Sequence, residues 1–459
     1  MKICTFMGVS MNTKYEEEKE VEIDENKIYK MPDYIIKSYN KKYLVIVPDT
    51  GIWIVLNTDE ELKIFDFLAN GNSIKDALLK FDEEDVINVL VQIEAKGFID
   101  LQTENIDNAE TMQIYLTNAC NLRCKHCYMY ADNSFENELT YDEIIEVCKM
   151  FKLTGGKYVT LTGGEVSVRR DFPQLLRGIN AVGLGIHILS NGVSWDDELI
   201  DLVAAIDVER VQISLDGFDE ITNAEVRGKG CFEKALTTID KLVKKNVNVY
   251  LAVTPLYDII LKNKKGYIEF AKNLVEKYKE YNFLINFSFE LIEGRDISNT
   301  DIIKYNKQYM KIMGEICEAV YPGSELESFV INHKDRKIFN NCGYGRINIS
   351  STGDVYFCSR VTEIKKYGNI RKDSFDRIKE IMSRVRELAD VTNLQPCKEC
   401  ELKYICGGGC RVDHFRELSQ IEDIFDENAM CNIKARKCDQ YNKEYLYQMM
   451  IDSNERLYG

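Results

Sequence analysis

The stretch Cys120-Asn121-Leu122-Arg123-Cys124-Lys125-His126-Cys127-Tyr128 decides how this chain is read. It sets three cysteines at C-x3-C-x2-C spacing in one short loop. Three thiolates so close in sequence take three corners of a cubane [4Fe–4S] cluster. The fourth iron then has no local ligand and is free to hold a small molecule. Zinc is the alternative, but it favours paired C-x2-C units that close a tetrahedron. Outward from the loop the pattern is strand–helix alternation. Candidate strands are Met112–Thr117, Lys157–Thr162, Gly185–Ser190, Arg210–Leu215, Val247–Val253 and Asn282–Phe287. Among the helices between them, one opens at a capping box of Thr140 and Glu143 and lines up Ile144, Val147, Cys148 and Phe151 on one face. Six parallel strands with covering helices predict an α/β fold, a partial (β/α)6 barrel, with chemistry at the C-terminal strand ends. The three cysteines directly follow the first strand.

The next strands end in further short motifs. They are Leu161-Thr162-Gly163-Gly164-Glu165, Ser190-Asn191-Gly192 and Ser214-Leu215-Asp216-Gly217, the last followed by Arg227-Gly228. Any one of these alone reads as a turn; at successive strand ends, beside the cysteine loop, they read as a site. Together they resemble the radical S-adenosylmethionine family. The resemblance implies that Cys120, Cys124 and Cys127 ligate the catalytic cluster, that Gly163, Gly164 and Glu165 hold the amino group of the cofactor, and that Ser190 and Asn191 contact its ribose. Ser214, Asp216 and Tyr128 would complete the cofactor site, with Arg227 near the carboxylate. A histidine of the family shortly before that arginine is replaced in Thr222-Asn223-Ala224. The implied chemistry is one-electron cleavage of S-adenosylmethionine to methionine and a 5′-deoxyadenosyl radical, which takes hydrogen from an unactivated carbon. His126 and Tyr128 are read as packing around cluster and adenine.

A second cysteine group comprises Cys342, Cys358, Cys397, Cys400, Cys406, Cys410 and Cys431. Its spacing resembles the SPASM extension, which carries two auxiliary clusters in peptide-modifying members of the family; a zinc ribbon is the alternative. By resemblance Cys397, Cys400, Cys406 and Cys431 close one cluster and Cys342, Cys358 and Cys410 hold the other. Three [4Fe–4S] clusters in all are implied. Two fully ligated auxiliary clusters need eight cysteines, and seven are present. The missing position falls at Asn348, so Cys438 or Cys317 fills it, or one iron stays open to a substrate thiolate or a surplus electron. Of the others, Cys148 reads as buried and inert. Cys231 opens a helix, where a depressed pKa is an option and a structural role the simpler reading.

Composition bounds the rest. The chain has 459 residues, enough for several domains, and a net charge of −16, which argues against a phosphate-binding or membrane-surface protein. It has no apolar run long enough to span a bilayer and no signal pattern at Met1–Ser10, so the expected location is cytoplasmic. Fifteen cysteines in a reducing compartment point to metal ligation. The stretch to Glu25 reads as polar and mobile. Then Tyr43–Val47 and Ile52–Leu56 form a hairpin, Thr58 and Glu61 cap a helix, Ser73–Phe81 and Glu83–Lys96 are two more helices, Gly97 ends the last, and Phe98–Leu101 is a short strand. Such a module is winged-helix-like. With nine Lys/Arg against thirteen Asp/Glu between Asn26 and Thr103 it shows no basic face for nucleic acid. It resembles the PqqD-like element by which maturases of ribosomal peptides bind a precursor's leader as an added strand. The expected domains are 26–103 for recognition, 104–335 for the barrel and 336–459 for the auxiliary clusters. The expected partners are a precursor peptide with its leader and a flavodoxin, ferredoxin or other reductase as electron donor. The expected activity is peptide modification by thioether formation. A peptide epimerase and a sulfatase-type formylglycine maturase are rivals, and a non-catalytic iron–sulfur winged-helix regulator is the rival from another class.

Overall fold

The computed structural model describes residues 2–7, 17–95, 97–105, 110–206, 208–412 and 440–458. The chain divides into two compact units. One comprises residues 1–106, 323–342 and 386–459; the other comprises 107–322 and 343–385. Among the described residues no helix is long and apolar enough to cross a membrane.

In the first unit β1 (Lys2–Met7) and β2 (Glu17–Glu22) pair antiparallel, where the sequence suggested a mobile stretch. A second sheet runs in the order β3 (Ile35–Tyr39), β4 (Lys42–Val47), β5 (Ile52–Leu56), all antiparallel. Strands β4 and β5 are near-continuous apolar runs because both sheet faces are covered. Val45, Val47, Ile52, Ile54 and Leu56 face the helices α1 (Asp59–Ala69), α2 (Ile74–Lys80) and α3 (Glu83–Ala95). Leu44, Ile46, Trp53 and Val55 pack with Leu402, Tyr447, Met450 and Ile451, the last three from the helix Gln440–Tyr458. Thr58 caps α1 by accepting from the Glu61 N–H at 3.1 Å, while the Glu61 carboxylate returns to the Asn57 N–H at 2.6 Å. The expected strand at Phe98–Leu101 is instead a turn, closed by Phe98 N–H to Ile93 O at 2.9 Å and Asp100 N–H to Gly97 O at 2.9 Å. The short strand here is β6 (Glu104–Asn105), parallel to Lys337–Ile338, which is β13 in chain order.

The second unit holds the barrel. Its parallel strands are β7 (Thr111–Tyr115), β8 (Tyr158–Thr162), β9 (Gly185–Ser190), β10 (Arg210–Ser214), β11 (Val249–Val253) and β12 (Phe283–Phe287), neighbours in that order. All six lie where the sequence placed them. Helices α4 (Tyr141–Leu153), α5 (Phe172–Val182), α6 (Asp197–Ala205), α7 (Glu220–Arg227), α8 (Phe232–Lys244) and α9 (Tyr257–Lys277) fill the connections. The Thr140–Glu143 capping box forms as expected. Burial alternates along β9 to β12, with one face of each strand closed and the other more open. Beyond β7 the same sheet continues through β14 (Asn348–Ile349, parallel), β15 (Asp354–Tyr356) and β16 (Gly368–Asn369), so this segment extends the barrel sheet. The region after Asn340, whose sequence shows little regular patterning, nonetheless carries helices at Phe375–Ala389 and Gln440–Tyr458.

Candidate active site

The loop after β7 carries Cys120 and Cys127, both half-buried, and Cys124, which is buried. Backbone contacts fix its course: Cys120 N–H donates to Asp132 O at 3.0 Å, and Lys125 N–H to Val226 O at 3.0 Å. The glycine pair at the end of β8 explains itself here. Gly163 has φ +151°, and a Cβ on it would stand 2.5 Å from Thr117 O; on Gly164 it would stand 2.3 Å from Ala119 O. The close approach lets Gly164 N–H reach Thr117 O and Glu165 N–H reach Ala119 O, both at 2.8 Å. Glycine is therefore needed so that the end of β8 can lie against the backbone entering the cysteine loop.

Glu165 is almost fully buried. One carboxylate oxygen accepts from Ser167 N–H at 3.0 Å, Ser167 Oγ at 2.7 Å and Ser190 Oγ at 2.7 Å; the other accepts from Asn191 N–H at 2.7 Å. Four donors nearly fill the capacity of one carboxylate. Asn191 Nδ2 in turn donates to Asn121 Oδ1 at 2.8 Å, and Asn121 Nδ2 to Ser194 Oγ at 2.8 Å, which ties the end of β9 to the cysteine loop. Ser214, at the end of β10, is half-buried, and its side chain has no hydrogen-bond partner among the described residues.

Asp216 is wholly buried and gathers three groups. One oxygen lies 2.7 Å from His126 Nε2 and 2.6 Å from Arg227 Nε; the other accepts from Thr254 N–H at 2.8 Å. The Arg227 contact is an ion pair rather than an aligned hydrogen bond. Burial works to raise the Asp216 carboxyl, but the charges of Arg227 and His126 outweigh it and hold it at about 2. Arg227 Nη1 reaches to 3.9 Å from Cys124 Sγ. His126, read from the sequence as packing, is thus a polar tether, and its buried Nδ1 has no partner among the described residues. Asn223 completes the turn: its Oδ1 accepts from Asp216 N–H at 3.1 Å and Gly217 N–H at 3.3 Å. Tyr128 places its hydroxyl 3.2 Å from that of Tyr115, which donates to Ser359 O at 2.7 Å, one residue past Cys358.

The sequence reading missed the segment after β12. Arg295 N–H donates to Cys127 O at 3.2 Å, and Asp296 N–H to Lys125 O at 2.7 Å. A Cβ on Gly294 would stand 2.6 Å from His126 O. A glycine just beyond the sixth strand was the available signal. Cys231 is buried, in keeping with a structural role, and burial and nearby Glu220 push its thiol up, against the option of a depressed pKa. Cys148 is buried as read, its thiol pushed up to about 12 by burial.

In the first unit Cys397 opens a short turn closed by Cys400 N–H to Cys397 O at 2.8 Å, and Cys406 ends the helix Lys403–Cys406. Cys342 and Cys410 belong to this unit, and Cys358 to the other. Asn348 is buried, its side chain donating to Arg346 O at 2.9 Å. Cys317 lies half-buried on the helix Asn299–Val320. Cys431 and Cys438 lie outside the described residues.

The donor set suits a cluster. Burial pushes the Cys120 thiol up to about 11, against the pull of the Leu122 N–H that donates to its sulfur at 3.4 Å, so a bound cation is needed to draw the proton off. Among the described residues no three His, Cys, Asp or Glu side chains converge on a single metal ion. Thiolates around a cubane stand further apart, each on its own iron.

Compared with known proteins, residues 114–272 match the radical SAM superfamily, and residues 341–401 match the SPASM iron–sulfur cluster-binding domain. The sporulation killing factor maturation protein SkfB of Bacillus subtilis is 36% identical over 31% of this chain and 34% of its own length, so that match spans about a third of the relative. The AdoMet-dependent heme synthase of Methanosarcina barkeri is 28% identical over 70% of this chain and 96% of its own. The mycofactocin maturase MftC of Mycolicibacterium smegmatis is 25% identical over 65% and 77%. Among solved structures, anSMEcpe with bound AdoMet aligns with a TM-score of 0.53 and 17% identity over 75% of this chain and 99% of that one. With its cysteine loop pinned at the strand ends of a parallel barrel sheet, the chain carries a radical SAM domain over residues 114–272 and a SPASM iron–sulfur domain over residues 341–401.

Proposed function

We propose that this protein modifies a ribosomally made precursor peptide by radical chemistry. The observation that carries the reading is the cysteine loop, stitched by backbone bonds to the end of β8 and to the segment after β12 and by side chains to the ends of β9 and β10. Cys120, Cys124 and Cys127 would hold one [4Fe–4S] cluster. Bound there with S-adenosylmethionine, it supplies a 5′-deoxyadenosyl radical for hydrogen abstraction. The chain's own part is placement: Gly163 and Gly164 bring β8 against the loop, Glu165 locks Ser190 and Asn191, and Asp216 holds Arg227 beside Cys124. Residues 104–335 serve as the radical domain and 336–459 as the auxiliary-cluster domain, with two further clusters.

The relatives' names diverge between peptide maturation and haem synthesis, so they do not by themselves choose the substrate. The N-terminal module favours a peptide. Among the described residues strand β3 pairs on one side only, and Ile36, Lys37 and Ser38 are exposed along it. A half-paired, exposed strand offers an extended peptide a main-chain ladder. Residues 26–103 would thus hold the leader. The bond we propose is a thioether from a precursor cysteine to a carbon of another residue, supported by the kinship to a killing-factor maturation protein and by the seven-cysteine auxiliary set.

Replacing Cys120, Cys124 and Cys127 together with alanine should abolish 5′-deoxyadenosine production under dithionite. Retained production removes the central claim. Incubation of the intact enzyme with its precursor should yield a product lighter by a pair of hydrogens and poorer by one alkylatable thiol per link, read by mass spectrometry. Unchanged mass with inverted stereochemistry would establish an epimerase instead.

A further inference from the structure

Arg411 is fully buried in the first unit, the only arginine among that unit's described residues to be so. Its Nε donates to Ala389 O at 2.7 Å, Nη1 to Gly409 O at 2.6 Å and Nη2 to Asn340 O at 3.0 Å. The turn Cys406-Gly407-Gly408-Gly409-Cys410 folds over it. Its three glycines have φ of +68°, +79° and +76°, and a Cβ on Gly408 would stand 3.1 Å from Nη1. Asn340, the third acceptor, lies two residues before Cys342. The guanidinium is therefore enclosed by backbone that leads directly into cysteines.

Carbonyl oxygens satisfy its hydrogen bonds but not its charge. A buried cation without an anion is costly, and the cost persists however well its protons are placed. No carboxylate accepts a hydrogen bond from Arg411 among the described residues. Asp390, next to the Ala389 that supplies one of the three carbonyls, has its carboxylate bonded to Thr392 and Asn340. Another cation beside this cysteine set, Lys443, has a carboxylate of its own, Glu401 at 3.4 Å.

We propose that Arg411 is the built-in counter-charge of the auxiliary iron–sulfur site that the cysteines bounding its enclosure, Cys342, Cys406 and Cys410, help to form, and that its charge sets that site's reduction potential. The inference rests on the auxiliary-cluster reading above. A thiolate-ligated cluster is anionic and gains a further negative charge on reduction. A fixed buried cation favours the reduced form more than the oxidised form, and so raises the potential. Arg411 is a positioning residue: it acts through the field at the cluster and touches no substrate.

The test uses the full-length chain carrying C120A, C124A and C127A, reconstituted anaerobically with iron and sulfide, so that the auxiliary signals stand alone. Its potentials are followed by EPR during a redox titration. R411Q should lower one midpoint by at least about 59 mV, a tenfold change in the one-electron equilibrium. R411K keeps the charge and should shift it far less. An unchanged midpoint in R411Q overturns the proposal, and so do equal falls in both variants, which would assign the effect to the guanidinium's hydrogen bonds. If R411Q fails to retain cluster iron while R411K retains it, the need for charge is upheld; failure in both overturns it. A parent chain without any iron–sulfur signal overturns the auxiliary-cluster reading, and this inference with it.

Discussion

Asp216 shows how much of the site depends on single buried groups. One carboxylate, closed to solvent, binds a side chain from the cysteine loop, one from the end of α7 and the backbone of Thr254. Replacing it with asparagine keeps the shape and removes the charge. Arg227 is then left as a buried guanidinium beside Cys124 with no counter-ion. Breaking a buried pair in this way costs about 3–5 kcal/mol. Asp216→Asn should therefore lower the denaturation midpoint of the metal-free chain and weaken iron loading at Cys120, Cys124 and Cys127. An unchanged midpoint would mean that the pair is not a structural element. The sequence marked Asp216 as a site residue but as a contact to the cofactor, because a motif names a position and not its partners. His126 and Arg227 are 90 and 11 residues away from it in sequence, and only the fold brings the three together. Gly163 and Gly164 were legible for a similar reason and with the same limit. Glycine announced a close approach, but the surface approached is the loop's own backbone.

At the scale of elements, the barrel strands were legible because each is an apolar run ended by Gly, Ser, Asn or Asp, and tertiary packing did not override that signal. Strand β3 was missed because Ile35–Tyr39 holds lysine and serine and has an exposed edge, which weakens any alternation. That edge carries a prediction. Asn40 and Lys41 have φ of +49° and +62°, the conformation of a two-residue type I′ turn between Tyr39 and Lys42. Such a turn closes on a hydrogen-bonded pair, so Tyr39, Lys37 and Ile35 bond to β4, while Ile36 and Ser38 direct their N–H and C=O groups to the open side. Ser38→Pro should leave the β3–β4 ladder intact and remove one outward donor. Precursor affinity should fall by roughly tenfold, about 1.4 kcal/mol, with S-adenosylmethionine cleavage in the absence of precursor unchanged. Undiminished affinity, measured by fluorescence anisotropy, would place the leader elsewhere. A second element-level contact answers to pH. Arg371, just past β16, pairs with Glu143 at the start of α4 through Nε to Oε1 at 2.6 Å and Nη2 to Oε2 at 2.9 Å. The Arg371 hydrogen bonds hold the Glu143 carboxyl at about 2, well below its ordinary 4.5. Because the folded value is the lower one, the pair stabilises fully above pH 4.5, and its contribution fades as pH falls toward 2. Both side chains are about a third exposed, so solvent screening limits the gain to about 1 kcal/mol or less. Arg371→Gln should melt below the parent at neutral pH, and the two curves should converge in acid. A difference that persists in acid would assign the loss to the Asn137 and Glu138 carbonyls that Arg371 also holds.

On the scale of the whole chain, the sequence conveyed the identity of the modules better than their extent. The N-terminal sheet looked like the core of an independent module of about eighty residues. Its second face, however, is closed by side chains from the far end of the chain: Leu402, Tyr447, Met450 and Ile451. The helix that supplies three of them gave no warning. Its buried stripe includes Ser453 and Asn454, so the apolar periodicity that marks an amphipathic helix is broken by polar residues at inward positions. The consequence is that residues 26–103 alone would expose Leu44, Ile46, Trp53 and Val55, and excising them would strip the same cover from Met450. Recognition is therefore better probed by point changes than by deletion. Met450 is fully buried, and its truncation to alanine removes packing from both sides of this contact at a cost of about 2–5 kcal/mol. If the first unit is a cooperative structure assembled from both ends of the chain, Met450→Ala should speed amide hydrogen exchange across β4 and β5. The barrel strands β8 to β11, in the other unit, should keep their protection. Equal loss of protection in the barrel would show that the two units unfold together, and unchanged exchange in β4 and β5 would show that the N-terminal module holds its fold without the distant helix.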